Sequence, residues 1–327
     1  MTLQATTEVA FAHNTLSRTL LDGQVRAVTV QLGSAWQDVV GQRALPAAVK
    51  SLLGELCAAS ALLAATLKFN GSLVLQLQGD AQAPISLLVV ECNAGLNIRA
   101  AVKLREHAGD LSQLSFMQLL NPMGMGRFIV VLDPLDKLPG QQAYTSLVPL
   151  LGNSVAESLD YYMAHSEQLP TRLVLAANDE HCAGLLVQKM PSEGGVQSKI
   201  APEDALQAAD EADTDGVWTR ARHFVNTVKT QELLCTDSPT LLRRLFWDEN
   251  PTPFELRGLR FACACSRAKV GKMLTMLGQT EVSEALATQG ALSVNCDFCD
   301  QHYAFDALDC AALFTESVPS PSSPSLQ

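Results

Sequence analysis

The sequence predicts an α+β fold with three parts. These are an N-terminal β/α/β layered domain around a buried central helix, a helical linker, and a small C-terminal module built on cysteines. Three observations carry this. Residues 46–69, PAAVKSLLGELCAASALLAATLKF, read as one helix that has no polar face from Leu56 to Leu67. A helix without a wet side belongs inside, covered by a layer on each side. Strand-like runs surround it, at 26–32, 72–78, 85–92, 96–102, 127–133 and 144–150. Finally, four of the nine cysteines form two tight pairs near one end, Cys263 with Cys265 and Cys296 with Cys299.

In chain order, RAVTVQL (26–32) alternates as a strand does. Pro46 suits the first turn of the central helix, and Asn70-Gly71 its end. Asn93-Ala94-Gly95 joins two strands. Ser154 and Glu157 have capping-box spacing and start a helix over 154–169. Residues 171–177 and 182–190 form a hairpin around Asn178–His181.

The character changes at Pro191. From Ala201 to Gly216 there are six acidic residues and no basic one, which reads as a linker segment. Helical patterns resume at 217–234 and at 238–249, where Ser238 is the expected N-cap and Pro239 the first helical residue. Trp218, Phe224, Phe246 and Trp247 are expected to be packing residues, with the C-terminal module supplying part of the surface they pack on.

In that module, Val270, Met273, Leu274 and Leu277 define a short helix stopped by Gly278. A second helix ends at Gly290, and 291–295 and 303–305 flank the second cysteine pair as a hairpin. The Ser/Pro tail reads as disordered. The expected divisions are 1–190 for the core domain, 191–260 for the linker, 261–314 for the module and 315–327 for the tail.

Composition narrows the function. The chain has 327 residues, enough for two domains. Its net charge of −11 argues against gripping nucleic acid or an anionic membrane. No signal peptide is visible at the N-terminus. The longest uncharged apolar run, 56–67, is too short to span a bilayer. A cytosolic location is therefore expected, where resting thiols are reduced and paired cysteines suggest metal or redox chemistry.

Residues i and i+2 of an extended stretch point to one side, so Cys263 and Cys265 can reach one ion. A Cys-x-x-Cys turn brings Cys296 and Cys299 together. Four thiolates complete a tetrahedral zinc site, and a closed site of this kind is structural rather than hydrolytic. An iron–sulfur cluster would use the same ligands. Zinc binding in small modules contributes about 10–16 kcal/mol, more than a thin core supplies, so the module should fold only with metal.

His302 is an alternative ligand but reads as an exposed loop residue. Cys57 and Cys92 read as core residues. Cys182 and Cys235 are undecided between loop and core.

Two other functions fit paired cysteines. A zinc-ribbon nucleic-acid protein is disfavoured because residues 263–315 hold three basic and six acidic residues. A thiol oxidoreductase would need its Cys-x-x-Cys at a helix N-terminus in a positive environment, whereas Asp297 and Asp300 flank this pair and are expected to raise its pKa. A dinucleotide enzyme fits less well, since Gly124 and Gly126 precede a strand rather than a helix. No phosphate-binding Gly-x4-Gly-Lys loop occurs.

The residues also carry a resemblance. Cys-x-Cys-Ser-Arg, then Cys-Asp-Phe-Cys with Tyr-x-Phe-Asp behind it, resembles the redox-regulated heat shock protein 33 family. The segments LLAATLKFNGSLVLQLQGD, SEQLPTRLVLAA, AGLLVQKMP and TLLRRLFWDE are similar to that family as well. The likeness spans roughly residues 25–310. It implies a non-enzymatic, ATP-independent holdase that binds unfolding clients under oxidative stress. It implies one zinc per chain on Cys263, Cys265, Cys296 and Cys299, and an inactive reduced state. Oxidation is implied to form Cys263–Cys265 and Cys296–Cys299 disulfides, release zinc, loosen the linker and favour a homodimer. Ala268 and Ser293 depart from the family pattern by removing charge near the thiolates. Cys310 is an additional thiol.

Overall fold

The computed structural model describes residues 14–41, 43–67, 70–106, 110–137, 142–191 and 216–315. The acidic stretch 201–215 and the Ser/Pro tail lie outside the described residues. Two units divide at Ala262/Cys263.

The first unit begins with β1 (Thr15–Leu21), β2 (Val25–Leu32), α1 (Ser34–Val40) and α2 (Ala47–Thr66). Next come β3 (Gly71–Gln78), β4 (Ile85–Asn93), β5 (Asn97–Leu104), α3 (Phe116–Leu120), β6 (Arg127–Pro134) and β7 (Tyr144–Val148). Then follow α4 (Val155–His165), β8 (Thr171–Ala177), β9 (Cys182–Lys189), α5 (Val217–Thr227), α6 (Thr230–Cys235) and α7 (Ser238–Phe246). The unit ends with β10 (Glu255–Gly258) and β11 (Arg260–Phe261). One sheet has the order β10-β1-β2-β9-β8, and the other β11-β5-β4-β3-β6-β7. Every pairing is antiparallel except that of β11 with β5.

Helix α2 lies between the sheets, packed on β2, β8 and β9 from one side and on β3, β4 and β5 from the other. Every residue from Leu56 to Ala65 is buried, as an all-apolar helix requires. Close approach depends on Gly54, where a Cβ would lie 2.4 Å from the Ala177 Cβ. At twenty residues, α2 is long and apolar enough to cross a membrane by length and composition alone. Both of its flanks are instead covered by sheet.

The outer face of the first sheet is covered too. Val25, Ala27, Leu185 and Val187 form a second core with Trp218, Val225, Leu233, Leu242 and Phe246 of α5, α6 and α7. Strand β2 is buried on both faces, because α2 covers one and the linker helices cover the other. The linker helices find their packing surface on this sheet. Of their aromatic residues, Trp218 and Phe246 are buried, whereas Trp247 is 76% exposed and Phe224 only partly covered.

Chain connectivity reinforces the attachment. After α7, β10 extends the first sheet and β11 the second. Arg220 of α5 grips the buried Glu249 carboxylate with two bonds, at 2.6 and 2.7 Å. Removing one partner of such a pair leaves an uncompensated buried charge.

Helix boundaries differ in detail from the sequence reading. Asp237, not Ser238, caps α7 by accepting from the Thr240 N–H at 3.0 Å. Ser154 caps α4, but the Glu157 carboxylate accepts from the Asn153 N–H, so the box does not close on Ser154. The 217–234 run is two helices, α5 and α6. Gly124 has φ +77 and lies in a turn before β6.

Candidate metal centre

The second unit contains α8 (Arg267–Leu277), α9 (Gln279–Gln289), β12 (Leu292–Asn295), β13 (His302–Phe305) and α10 (Ala307–Thr315). Ser266 caps α8 by accepting from the Lys269 N–H. Gly278 and Gly290 end α8 and α9 at φ +102 and +75, a region open to glycine at little cost. The core is Leu274, Val282, Leu292, Phe305 and Cys310. Met273, Met276 and Leu277 of α8 remain exposed. So small a core leaves the fold dependent on a cross-link.

That cross-link has a place. Cys263 and Cys265 precede α8, with Ala264 between them turned outward. Strands β12 and β13 pair antiparallel and hold Cys296–Cys299 at their tip. The tip is closed by the Asp300 N–H donating to the Cys296 carbonyl at 2.8 Å and the Cys296 N–H donating to the Gln301 carbonyl at 3.0 Å. Asp300 takes φ +58 there. The pair thus sits at a hairpin tip, not at the helix N-terminus that an oxidoreductase uses.

All four Sγ atoms lie within 4.8 Å of one another. The Cys263–Cys296 separation is 3.6 Å and the Cys265–Cys299 separation 3.3 Å. Sulfurs bonded to one tetrahedral zinc at about 2.3 Å would sit ~3.8 Å apart. The cluster therefore fits one such ion, with one sulfur pair from each segment. His302 does not join it. Its Nδ1 lies 2.8 Å from Asn295 Oδ1, on the exposed side of the hairpin.

Electrostatics agree with a cation site. The Tyr303 hydroxyl donates to Cys265 Sγ at 3.1 Å and draws that thiol down to about 7. Burial and then the neighbouring sulfurs push Cys299 up to about 12. Cys263 is raised as well, by burial first. The crowded sulfurs oppose a further negative charge at Cys299. A divalent cation removes that repulsion. These shifts arise mainly from Tyr303, burial and the sulfurs, not from Asp297 and Asp300 as the sequence reading expected.

Tyr303 was not given a role from sequence. Its signal was the alternation of β13, where Tyr303 and Phe305 share one face. Beneath it, the Arg267 guanidinium stacks 4.2 Å from the Phe305 ring centroid and donates to Asp309 at 2.6 Å. This braces α8 against the hairpin and α10.

The remaining cysteines lie elsewhere. Cys57, Cys92 and Cys182 are buried in the first unit, and burial raises all three thiols. Such thiols are poor nucleophiles. Cys235 is exposed. Cys310 is buried in the second unit's core, and burial, Asp309 and Asp306 push its thiol up.

Comparison with known proteins agrees with this geometry. The family described as Hsp33 protein matches residues 14–306. The 33 kDa chaperonin of Methylobacillus flagellatus is 42% identical over 298 residues, covering 91% of this chain and 92% of that protein. That of Chromobacterium violaceum is 41% identical over 308 residues, covering 94% and 95%. The fold matches the crystal structure of the 33 kDa chaperonin (Hsp33 homologue) from Thermotoga maritima with TM-score 0.72 at 21% identity, over 93% of this chain and 98% of that one. The chain belongs to the Hsp33 family of chaperones.

Proposed function

We propose that this protein is a cytosolic, ATP-independent holdase, switched on by oxidation of Cys263, Cys265, Cys296 and Cys299. The observation that carries the reading is the convergence of four thiols on a unit with a minimal core. When bound, zinc would supply the charge that lets all four thiolates coexist and ties the Cys263–Cys265 segment to the hairpin.

Activation is a change in the sulfurs. Two thiolates of a pair lose two electrons to one peroxide, an S–S bond forms, and the peroxide O–O bond breaks to give two hydroxides. By family resemblance the pairs are Cys263–Cys265 and Cys296–Cys299. A bridge across one intervening residue is strained and readily re-reduced, which suits a reversible switch. Once either pair is bridged, the cluster no longer offers four thiolates, and the unit falls back on its five-residue core.

The linker segment, 191–260, is the proposed site of the response. Loosening α5, α6 and α7 would uncover both their own apolar faces and the outer face of the first sheet. A large exposed apolar surface can hold unfolded chains without a catalytic step. The oxidised form is proposed to dimerise.

Aggregation of a thermally unfolding client provides the test. Peroxide-treated protein should suppress it with or without ATP, while the reduced, metal-loaded protein should not. Equal suppression by the reduced form, or a requirement for nucleotide, would overturn the reading.

A further inference from the structure

Past the C-terminal end of α2, a cavity of ≈ 330 Å³ opens between the two sheets of the first unit. Pockets of about 300–1,000 Å³ suit small ligands. Strands β2 and β9 wall it from one side through Arg26 and Gln188. Strands β3 and β6 wall it from the other through Leu73, Val130 and Leu132. Leu63 of α2 and Met163 of α4 add to this aliphatic lining, and no cysteine contributes.

One wall carries a charge that the protein leaves unbalanced. Strand alternation sends Val25 and Ala27 to the outer core and Arg26 inward, to the side of Val28 and Val30. Arg26 is only 5% exposed. Its Nη1 donates to the Thr66 carbonyl at the end of α2 at 3.1 Å and to the Gln188 side-chain oxygen at 3.3 Å. Both acceptors are neutral. Gln188 is fixed in turn, donating to the Thr171 hydroxyl at 3.0 Å. Among the described residues, no carboxylate pairs with the Arg26 guanidinium, and Nη2 makes no bond. Nε is sealed from any ligand, but Nη2 is not. Glu167, the carboxylate among the lining residues, is exposed and accepts from the Tyr162 hydroxyl instead. A buried ion without a counter-ion is costly, so this guanidinium calls for an anion.

We propose that this cavity binds a medium-chain monocarboxylate, with its carboxylate on Arg26 Nη2 and its alkyl chain along the aliphatic walls. A small inorganic anion would leave those walls unfilled, and a neutral hydrocarbon would leave the guanidinium unbalanced. Because both sheets and the end of α2 line the cavity, the occupant extends the inner core and stabilises the folded first unit. None of this rests on the chaperone reading.

Titration calorimetry on the reduced full-length chain tests it, with octanoate as probe and octan-1-ol and acetate as controls. Octanoate should bind saturably at one site per chain and raise Tm. Decanoate, two methylenes longer, should bind about tenfold tighter. Octan-1-ol should bind at least tenfold more weakly than octanoate, and acetate not measurably. Arg26→Gln should lower octanoate affinity tenfold or more and leave octan-1-ol affinity unchanged, a split that a purely structural role for Arg26 would not produce. Val130→Phe fills the cavity and keeps the guanidinium. It should abolish binding of both, and it reads out the site even where Arg26→Gln does not fold. The proposal is overturned if the wild-type chain shows no saturable octanoate binding, if octan-1-ol binds as tightly as octanoate, or if Val130→Phe binds octanoate as well as the wild type.

Discussion

Replacing Cys296 by Ser is expected to strip the C-terminal unit of its metal and unfold it, leaving the first unit intact. The wild-type reduced chain should carry one zinc, since the four sulfurs form a single cluster within 4.8 Å. A serine hydroxyl at position 296 is a poor zinc ligand at neutral pH. The affinity lost is folding free energy, drawn from about 10–16 kcal/mol of metal binding. The core of Leu274, Val282, Leu292, Phe305 and Cys310 cannot replace it. Two substitutions act as controls. Cys57→Ser alters a buried position of α2, and Cys310→Ala alters the second unit's own core. Both should keep their zinc even where they cost stability. Metal analysis and proteolysis of 263–315 read the outcome. Equal zinc loss in Cys296→Ser and Cys310→Ala would show that the ligand assignment is wrong.

Phe246→Ala should make the reduced protein a constitutive holdase. Phe246 is fully buried beneath α7 and meets Phe224 edge-on at 6.4 Å. Truncating a buried phenylalanine costs about 3–5 kcal/mol. Here the loss falls on the helices that cover the first sheet, while α2 and the inner core stay packed. The helices should therefore open before the unit unfolds. Client aggregation should be suppressed without peroxide, and proteases should cut within 217–246. Trp247→Ala, one residue away but 76% exposed, should change stability by less than about 0.5 kcal/mol and leave the switch intact. Rapid cleavage of 217–246 in Phe246→Ala without holdase activity would separate linker opening from activation.

The parts legible in sequence were those fixed by local chemistry. The run from Leu56 to Leu67 admits no wet face, so its place between two layers followed from composition, and burial is complete from Leu56 to Ala65. Gly278 and Gly290 mark helix ends because both take positive φ. Cysteine spacing identified all four members of the cluster, since short-range geometry alone aims each pair to one side.

What stayed hidden depends on tertiary partners. Strand β10 has no apolar alternation and β11 is two residues long, so neither reads as a strand until a sheet edge receives it. The surface under Trp218 and Phe246 could not be read, because their amphipathic pattern says only that a partner exists. Helix α10 was missed although Asp306 caps it, accepting from the Asp309 N–H at 2.8 Å. Tyr303 gained its role only when β13 turned its hydroxyl toward Cys265.

Hydrogen exchange before and after peroxide, with zinc release followed in the same samples, tests the coupling between cluster and linker most directly. The account predicts that zinc release, loss of protection at 292–305 and loss of protection at 217–246 occur together. Protection of α2 and β3 should persist, because the inner core is untouched. All three changes should reverse on reduction with zinc present. Zinc release with 217–246 as protected as before, in protein that nevertheless suppresses aggregation, would contradict it.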